Sequence, residues 1–296
     1  MITNPNVKIN LGLNILRKRE DGFHDLETLF VPYFGIHDTL EIITGDDYSR
    51  TSAAIFGKYA PEMIAQGISE DGSLMITIAR AEGVDWDPLK DLTAKAYYVL
   101  AEDFKMPPVK IFLQKTSPVG AGLGGGSADA AFALKMLNEL CELGLSEGQL
   151  AGYAARLGSD CPLFIYNKPM IGEGRGEVLT EIDWELPFSC HPEPPHCHPE
   201  QSEGSLDLQV LTPEGVSVST KDAYAGIKPH LPEVSLRDAL ARPVEEWADV
   251  LVNDFEETVF AKYPELAAIK RSLYDSGAVY ASMSGSGSAL FALYRK

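Results

Sequence analysis

The residues best placed for chemistry lie in a glycine-rich segment, SPVGAGLGGGSADAAFALKML, at positions 117–137. Five of the seven residues at positions 120–126 are glycine, and a sequence with helical periodicity follows directly. Backbone N–H groups that no side chain shields, at the N-terminus of a helix, form a cradle for an anion such as phosphate. Ser127 adds a hydroxyl group at the start of the predicted helix. A plain turn beneath a helix needs far fewer glycines, so the segment predicts phosphate binding.

Two familiar nucleotide-binding loops do not fit this segment. Residues 120–125 satisfy the pattern G-x-G-x-x-G, but a dinucleotide-binding unit needs a second strand that ends in an acidic residue about 20 positions on. Positions 139–145, ELCELGL, instead end one predicted helix and lead into another. A Walker P-loop needs a lysine directly before its Ser or Thr, and Gly126 stands there. The general anion cradle is the interpretation that remains.

Two charged residues outside the loop, Lys8 and Asp160, could each have either a catalytic or a purely structural role. Residues 6–16, NVKINLGLNIL, alternate strictly and predict a half-buried strand with Lys8 and Asn10 on its polar face. A lysine on such a face is most often solvated. Asp160 follows a predicted helix and precedes a predicted strand, where an isolated aspartate is usually a turn or cap residue.

The elements that must position these residues form a mixture of strands and helices, which predicts the α+β class. Asp21-Gly22 is a turn signal after the first strand, and Ser146 is a plausible N-cap. A break between domains is expected near residues 155–165. Further strands are predicted at 27–34, 39–44, 73–80, 109–115, near 208 and on both sides of a glycine-serine turn within 277–294. Helices are predicted at 88–104, 127–143, 146–158, 245–260 and 264–277.

Composition limits the classes of function. The chain has 296 residues, 45% of them hydrophobic, and a formal net charge of −18. That charge argues against nucleic acid or an anionic membrane as the main partner. The opening MITNPNVKINL predicts no signal peptide, and no apolar run approaches the roughly 20 residues of a membrane span. Four cysteines without framework spacing are typical of a reduced, cytoplasmic protein.

One segment does not fit this organisation. Residues 189–206, SCHPEPPHCHPEQSEGSL, contain three of the six histidines and two of the four cysteines. Cys and His are zinc ligands, but the spacing of Cys190 and Cys197 matches no zinc-finger pattern. His-Pro-Glu occurs twice, and segments that are rich in proline and charge and lack aromatic residues bury little surface. A disordered surface insertion is the favoured prediction, and a metal site is the alternative.

Three motifs together resemble those of the GHMP kinase superfamily. PVGAGLGGGSADAA at 118–131 is similar to its second motif, PNVKINLGLNILRKREDGFHDLETLF at 5–30 to its N-terminal motif, and SMSGSGSALFALY at 282–294 to its third. The resemblance implies a two-domain fold. Residues 1–160 would form an ATP-binding domain resembling ribosomal protein S5 domain 2, and residues 161–296 a ferredoxin-like domain that carries the insertion.

The resemblance also implies a substrate class. K-I-N-L, D-G-F-H and L-G-S-D-C-P-L-F resemble the branch of the superfamily that phosphorylates a cytidine diphosphate-linked polyol in isoprenoid precursor synthesis. Another kinase of the superfamily, of the homoserine or mevalonate type, is the alternative, although those acceptors carry no base for D-G-F-H to bind. A silent nucleotide-binding protein is a second alternative, against which Lys8 and Asp160 both stand. The chain could be a monomer or a homodimer.

Roles for individual residues follow from the same resemblance. Lys8 and Asp160 would form the catalytic pair, with ATP as phosphate donor, Mg²⁺ accompanying it and no protein metal ligand assigned. Asp91 stands where relatives usually have an asparagine near the adenine. The residues implied to bind the acceptor are Asn10, Phe23, His24 and Tyr224. The residues implied to bind ATP are Lys115, Pro118, Val119, Gly120, Ala121, Gly122, Leu123, Gly124, Gly125, Gly126, Ser127 and Ala128.

Overall fold

The computed structural model describes residues 1–45, 47–189 and 206–296. All but the end residues of the predicted insertion at 189–206 lie outside the described residues. The alternative prediction of a metal site there concerns the same residues and also lies outside the described part. Within the described part, no helix is long and apolar enough to cross a membrane.

The described chain mixes strands and helices, which confirms the α+β class. The strands are β1 (Ile2–Thr3), β2 (Asn6–Lys18), β3 (His24–His37), β4 (Thr39–Thr44), β5 (Ile64–Ile68), β6 (Leu74–Arg80), β7 (Val109–Lys115), β8 (Met170–Gly174), β9 (Val178–Glu181), β10 (Leu206–Leu211), β11 (Tyr280–Met283) and β12 (Leu290–Arg295). The α-helices are α1 (Arg50–Lys58), α2 (Leu92–Ala101), α3 (Gly125–Leu140), α4 (Glu147–Leu157), α5 (Cys161–Tyr166), α6 (Thr220–Ala225), α7 (Leu236–Leu240), α8 (Trp247–Val250), α9 (Phe255–Lys262) and α10 (Pro264–Asp275). Short 3₁₀ turns occupy Pro61–Met63, Pro88–Lys90 and Val244–Glu246.

The first of two compact units comprises Met1–Val7, Ile36–Val119 and Gly124–Asn167. Its five-stranded sheet has the order β1-β4-β7-β6-β5, in which only the β6–β7 pair is parallel. Helices α2 to α5 pack on one another, and α3 buries a run of small residues, including Ala130 and Ala131, that allows close approach. This packing fixes the start of α3, where the glycine-rich loop ends.

The second unit comprises Lys8–Gly35, Gly120–Leu123 and Lys168–Lys296. It contains a four-stranded sheet, β2-β3-β8-β9, and an antiparallel three-stranded sheet, β10-β12-β11. Both sheets contribute to one apolar core, to which Leu13 of β2, Phe255 of α9 and Met283 of β11 belong. The predicted division into residues 1–160 and 161–296 stays a prediction.

Most local predictions are confirmed, because hydrophobic alternation and caps are local signals. The strand at 6–16 becomes β2, and Ser146 caps α4 in a capping box with Gln149. The helix predicted at 88–104 is wrong in its first turn, because Asp91 caps α2 and a 3₁₀ turn precedes it.

The helix predicted at 245–260 is also wrong, since the chain leaves helical geometry between α8 and α9. Asn253 causes this break: its side-chain amide donates to the carbonyl oxygens of Met283 at 2.7 Å and Gly285 at 2.9 Å. Its side-chain oxygen accepts from the backbone N–H of Phe255 at 3.0 Å, the first residue of α9. Such long-range contacts leave no periodic trace in the sequence.

Candidate active site

The polar face of β2 is buried, which corrects the prediction of a half-buried strand. Lys8 is 3% exposed and Asn10 is 2% exposed. The Lys8 ammonium donates to Asn10 Oδ1 at 2.5 Å and to the carbonyl oxygen of Gly122 at 3.0 Å, and it lies 5.4 Å from the centre of the Phe30 ring. A buried charge must be paired or hydrogen-bonded. Lys8 is therefore not the solvated lysine that strand position alone would favour.

Within the second unit, three sequence motifs meet around Gly122. Its φ of +75° suits glycine, and a Cβ built there would lie 2.2 Å from the carbonyl oxygen of Ser284 in the glycine-serine turn. The Ser284 hydroxyl donates to the Gly122 carbonyl at 3.2 Å and accepts from the backbone N–H of Asn10 at 3.3 Å. This glycine is required because the backbone of the protein itself, and not a ligand, approaches it.

We expect Gly122→Ala to destabilise the protein by about 1–3 kcal/mol, the usual range when an added methyl meets a rigid neighbour. The added Cβ would overlap a backbone carbonyl, and alanine is strained at this φ. Urea unfolding measures the change. Gly148→Ala is the matched control, because nothing lies within 4 Å of its Cβ position in α4. Equal stabilities for the two variants would contradict this reading of the loop.

The remainder of the loop forms the start of α3 in the first unit. Gly124 is the N-cap with φ of +72°, and no side chain caps the helix. The first N–H groups of an α-helix lack partners within the helix and carry the positive end of its dipole. Apart from its chain neighbours and its own helix, the nearest atom to a Cβ position on Gly126 is 3.9 Å away, and the residue is exposed. The geometry therefore suits an anion at the start of α3.

Along the predicted nucleotide-binding stretch, exposed and buried residues alternate. Val119, Gly120 and Gly126 are exposed, and Pro118, Gly122, Gly124 and Ser127 are half-buried. Ala121, Leu123, Gly125 and Ala128 are buried. The exposed and half-buried residues of this stretch are the most accessible to a ligand, while the buried side chains hold the loop in place.

Lys115 lies in a buried ionic cluster of the first unit. Its ammonium lies 2.5 Å from Asp38 Oδ2, 2.6 Å from Asp129 Oδ2 and 3.1 Å from the Ser117 hydroxyl. The Ser117 hydroxyl in turn lies 2.3 Å from the Cβ position of Gly125, which explains that glycine. Lys115 has three N–H donors, and three protein oxygens accept them. A contact from Lys115 to a nucleotide stays a prediction.

Burial and pairing move the pKa values of this cluster. Burial alone would raise the pKa of Asp38, but the Lys115 charge and bonds from Ser117 bring it below its usual value. Burial raises the pKa of Asp129 well above its usual value, against the opposing effect of Lys115. Among the residues that the structure describes, Asp129 Oδ1 has no hydrogen-bond partner. Asp38 is thus the more strongly anionic of the two carboxyl groups.

Asp160 precedes a helix, whereas the sequence predicts a strand after it. It occupies the N-cap position of α5, but its side chain makes no capping bond to that helix. Asp160 therefore does not have the N-capping role that aspartate commonly has at the start of a helix. Asp160 belongs to the first unit and Lys8 to the second, and their predicted pairing stays a prediction.

The turn that carries Phe23 and His24 is held by ionic and backbone contacts in the second unit. The Arg19 guanidinium contacts both Asp21, at 3.0 Å, and Asp25, at 3.0 Å. Asp21 Oδ1 accepts from the backbone N–H of Phe23 at 3.1 Å, and the backbone N–H of Arg19 donates to the Phe23 carbonyl at 2.8 Å. The main chain of this turn is thus fixed, although the Phe23 ring is 53% exposed.

The structure brings together two of the four predicted acceptor residues, His24 and Tyr224. Their rings stack with centroids 4.8 Å apart and planes at 22°. Tyr224 also meets Phe255 edge-on at 4.8 Å, which ties it to the core of the second unit. Burial, with Lys18 nearby, lowers the pKa of His24 below its usual value, which favours the neutral imidazole. A neutral imidazole has one donor and one acceptor nitrogen for the edge of a base.

Two family models match this chain, the GHMP kinases N terminal domain over residues 91–168 and the GHMP kinases C terminal over residues 236–296. A 4-diphosphocytidyl-2-C-methyl-D-erythritol kinase of Bacteroides fragilis is 43% identical over 294 residues, which cover 99% of this chain and 92% of the relative. The chain belongs to the GHMP kinase family. It is accordingly an enzyme, a kinase, and the resemblance of its motifs to this family is confirmed.

Solved structures agree with this GHMP kinase fold. A crystal structure of a 4-(cytidine 5'-diphospho)-2C-methyl-D-erythritol kinase matches with a TM-score of 0.71 and 26% identity, covering 99% of this chain and 90% of that one. A homoserine kinase of Cytophaga hutchinsonii matches with a TM-score of 0.61 and 17% identity, covering 99% and 86%. The second likeness shows the fold alone.

In each unit of this GHMP kinase, some residues that support the predicted site residues are not predicted from the sequence. Ser284 and Asn253 hold the glycine-serine turn, Asp38 and Asp129 hold Lys115, and Arg175 lies over the Phe23 ring. Asp129 is the third residue after the glycine run, which is a usable signal, whereas the others are distant in sequence from their partners. Among the described residues, no group of three or more His, Cys, Asp and Glu side chains is arranged to hold a metal ion.

Proposed function

We propose that this GHMP kinase transfers the γ-phosphoryl group of ATP to the 2-hydroxyl of 4-diphosphocytidyl-2-C-methyl-D-erythritol, a step of isoprenoid precursor synthesis in the cytoplasm. The observation that carries the proposal is the fixed turn that presents an exposed Phe23 ring and, at the next position, a His24 imidazole stacked on Tyr224. A flat base needs a face to stack on and polar partners at its edge. An acceptor without a base would have no ring to stack on Phe23 and no ring edge to bind His24.

The nucleotide end of the reaction is assigned to the glycine-rich loop. Open backbone N–H groups at the start of α3 would bind the phosphates of ATP, helped by the helix dipole. Mg²⁺ is usually bound through substrate phosphates with one or two carboxylates, so it would arrive with ATP and neutralise phosphate charge. The role of the chain at this end is to hold the donor in a fixed position.

The reacting hydroxyl is assigned to Asp160 and Lys8. Phosphoryl transfer depends mainly on positioning and charge stabilisation, and needs one group to orient the nucleophile and accept its proton. Asp160, whose carboxylate does not cap α5, would accept the hydroxyl proton. Lys8, held by Asn10 and the Gly122 carbonyl, would stabilise the negative charge of the Asp160 carboxylate. An adjacent lysine would favour orientation over base strength, because it stabilises the carboxylate.

Replacement of His24 by alanine should weaken kcat/KM for the acceptor by about 1–3 kcal/mol, the scale of an unpaired buried polar group. The imidazole stacks on Tyr224, so the variant loses an edge contact to the base and also the stacking contact with Tyr224. Base contacts are remote binding energy that places the hydroxyl, and KM for ATP should barely change. Steady-state kinetics with each substrate varied measures both. His37→Ala, an exposed histidine of the first unit, is the control, and equal shifts for ATP and acceptor would make His24 structural.

The experiment that tests the proposed function against a base-free acceptor is inhibition by cytidine diphosphate. The proposal expects inhibition that is competitive with the acceptor, and weaker inhibition of the His24→Ala variant. Uridine diphosphate is the matched comparison, because only the base edge differs. If cytidine nucleotides never compete with the acceptor, the assignment of the base is wrong and a homoserine- or mevalonate-type acceptor becomes the better account.

A further inference from the structure

Phe23 is an exposed aromatic ring whose main chain is fixed but whose ring has few neighbours. Its backbone N–H and carbonyl are both bonded within the turn, while the side chain is 53% exposed. The His24 ring stacks on Tyr224, so one of its faces is occupied. Of the three predicted aromatic contacts, Phe23 thus offers the most accessible face for a base.

One face of that ring is covered by Arg175, which lies in the tight turn between β8 and β9. The guanidinium carbon is 4.8 Å from the centre of the Phe23 ring. The turn is held by Glu177, whose carboxylate accepts the backbone N–H of Arg175 at 2.6 Å and lies 3.5 Å from its Nε. Arg175 is therefore anchored at both its backbone and its side chain. A planar guanidinium stacks on an aromatic face in a way that a lysine ammonium does not.

The fixed main chain of Phe23 and the anchored Arg175 together place a cation on one side of an exposed ring. A ring on a two-torsion side chain loses freedom when a ligand stacks on it, and prior fixation removes part of that loss. Guanidinium–aromatic contacts at exposed sites contribute about 0.5–1 kcal/mol. With 53% of Phe23 exposed, the face opposite Arg175 is where a flat ligand would stack.

We propose that Arg175 is a positioning residue for the acceptor, which holds the Phe23 ring in the orientation that stacks on a pyrimidine base. This inference rests on the proposed function, since the base is that of the cytidyl acceptor. Arg175 acts through Phe23 and does not itself contact the reacting atoms. Arg175 would thus contribute to specificity for the base, and it lies about 150 residues from Phe23 in the sequence.

Calorimetric binding of cytidine diphosphate to the full chain tests this role. Arg175→Leu should weaken binding about two- to fivefold, the affinity equivalent of such a contact. Arg175→Lys, which keeps the charge without the planar group, should recover only part of the loss. ATP binding and melting temperature should stay at wild-type values. Arg237→Leu is the matched control, because its guanidinium lies over a different ring, that of Trp184, at 5.9 Å.

A double-mutant cycle with Phe23→Leu separates positioning from direct contact. If Arg175 acts through the ring, Arg175→Leu should have no further effect on cytidine diphosphate binding in the Phe23→Leu background. An equal loss in both backgrounds, or no loss in either, would overturn the inference. Coupling in the cycle without phosphate transfer to the acceptor would overturn the proposed function alone. Transfer without coupling would overturn this inference alone.

Discussion

Asp160→Asn should lower turnover by at least about a hundredfold, the lower end of the range for a positioned general base. Asparagine matches the shape of aspartate but cannot accept the proton of the acceptor hydroxyl. The wild-type side chain makes no capping bond to α5, so the substitution removes no N-cap hydrogen bond from that helix. Steady-state turnover with saturating ATP and acceptor measures the effect.

Folding and ATP binding should be unchanged in the same variant. Melting temperature and calorimetric ATP affinity provide these two controls. Asp85→Asn, an exposed aspartate of the first unit, is the matched substitution and should retain full activity. Near wild-type turnover in the Asp160→Asn variant would remove Asp160 from the mechanism.

Lys115→Met should have the largest effect on stability, a loss of about 3–5 kcal/mol in the free energy of unfolding. The Lys115 side chain is 5% exposed, and its ammonium contacts the carboxyl groups of both Asp38 and Asp129. Methionine fills a similar volume but leaves both carboxyl groups without their cation. Urea unfolding at pH 7 measures the loss, and Lys110→Met, a substitution on the same strand β7, should change stability little.

A second variant separates loss of charge from loss of packing. In an Asp129→Asn background, the same Lys115→Met change should cost distinctly less, since one carboxyl group no longer needs a cation. An unchanged penalty would show that packing, and not charge, explains the effect.

The pH dependence of stability follows from the same cluster. The pKa of Asp38 is lowered in the folded protein, so its contribution is present above the unfolded value of about 3.9 and is lost as the pH falls below it. The pKa of Lys115 is raised, because Asp129 and Asp38 outweigh the opposing effect of burial. Its contribution is therefore complete below about pH 10.4 and lost only at more alkaline pH. Asp38→Asn should make the protein less sensitive to acid.

The sequence predicts those parts of the site that depend on local pattern. The glycine-rich loop, the strand with Lys8 and the capping role of Ser146 follow from spacing and residue type within a few positions. The family motifs extend this to the roles of Asp160 and His24. Local pattern also misleads, because it places a strand after Asp160 where α5 follows.

What the sequence does not predict depends on contacts between distant residues. Lys115 pairs with Asp38 across 77 positions, and nothing in either segment announces that pairing. The buried polar face of β2 is similar, because the alternation of Lys8 and Asn10 with apolar residues is typical of a solvated face. Only packing from other segments decides that such a face is closed to water. The glycines illustrate the same limit, since Gly122 is required by Ser284, 162 residues away.

We conclude that this kinase phosphorylates a cytidyl-linked polyol. The most direct test of this substrate is transfer of labelled phosphate from ATP to 4-diphosphocytidyl-2-C-methyl-D-erythritol, homoserine and mevalonate in parallel, with ³¹P NMR of the product. We expect rapid transfer to the first acceptor alone, with a new phosphomonoester on the 2-hydroxyl and the diphosphate intact. Transfer to homoserine or mevalonate at a comparable kcat/KM, or no transfer to the cytidyl acceptor, would contradict it.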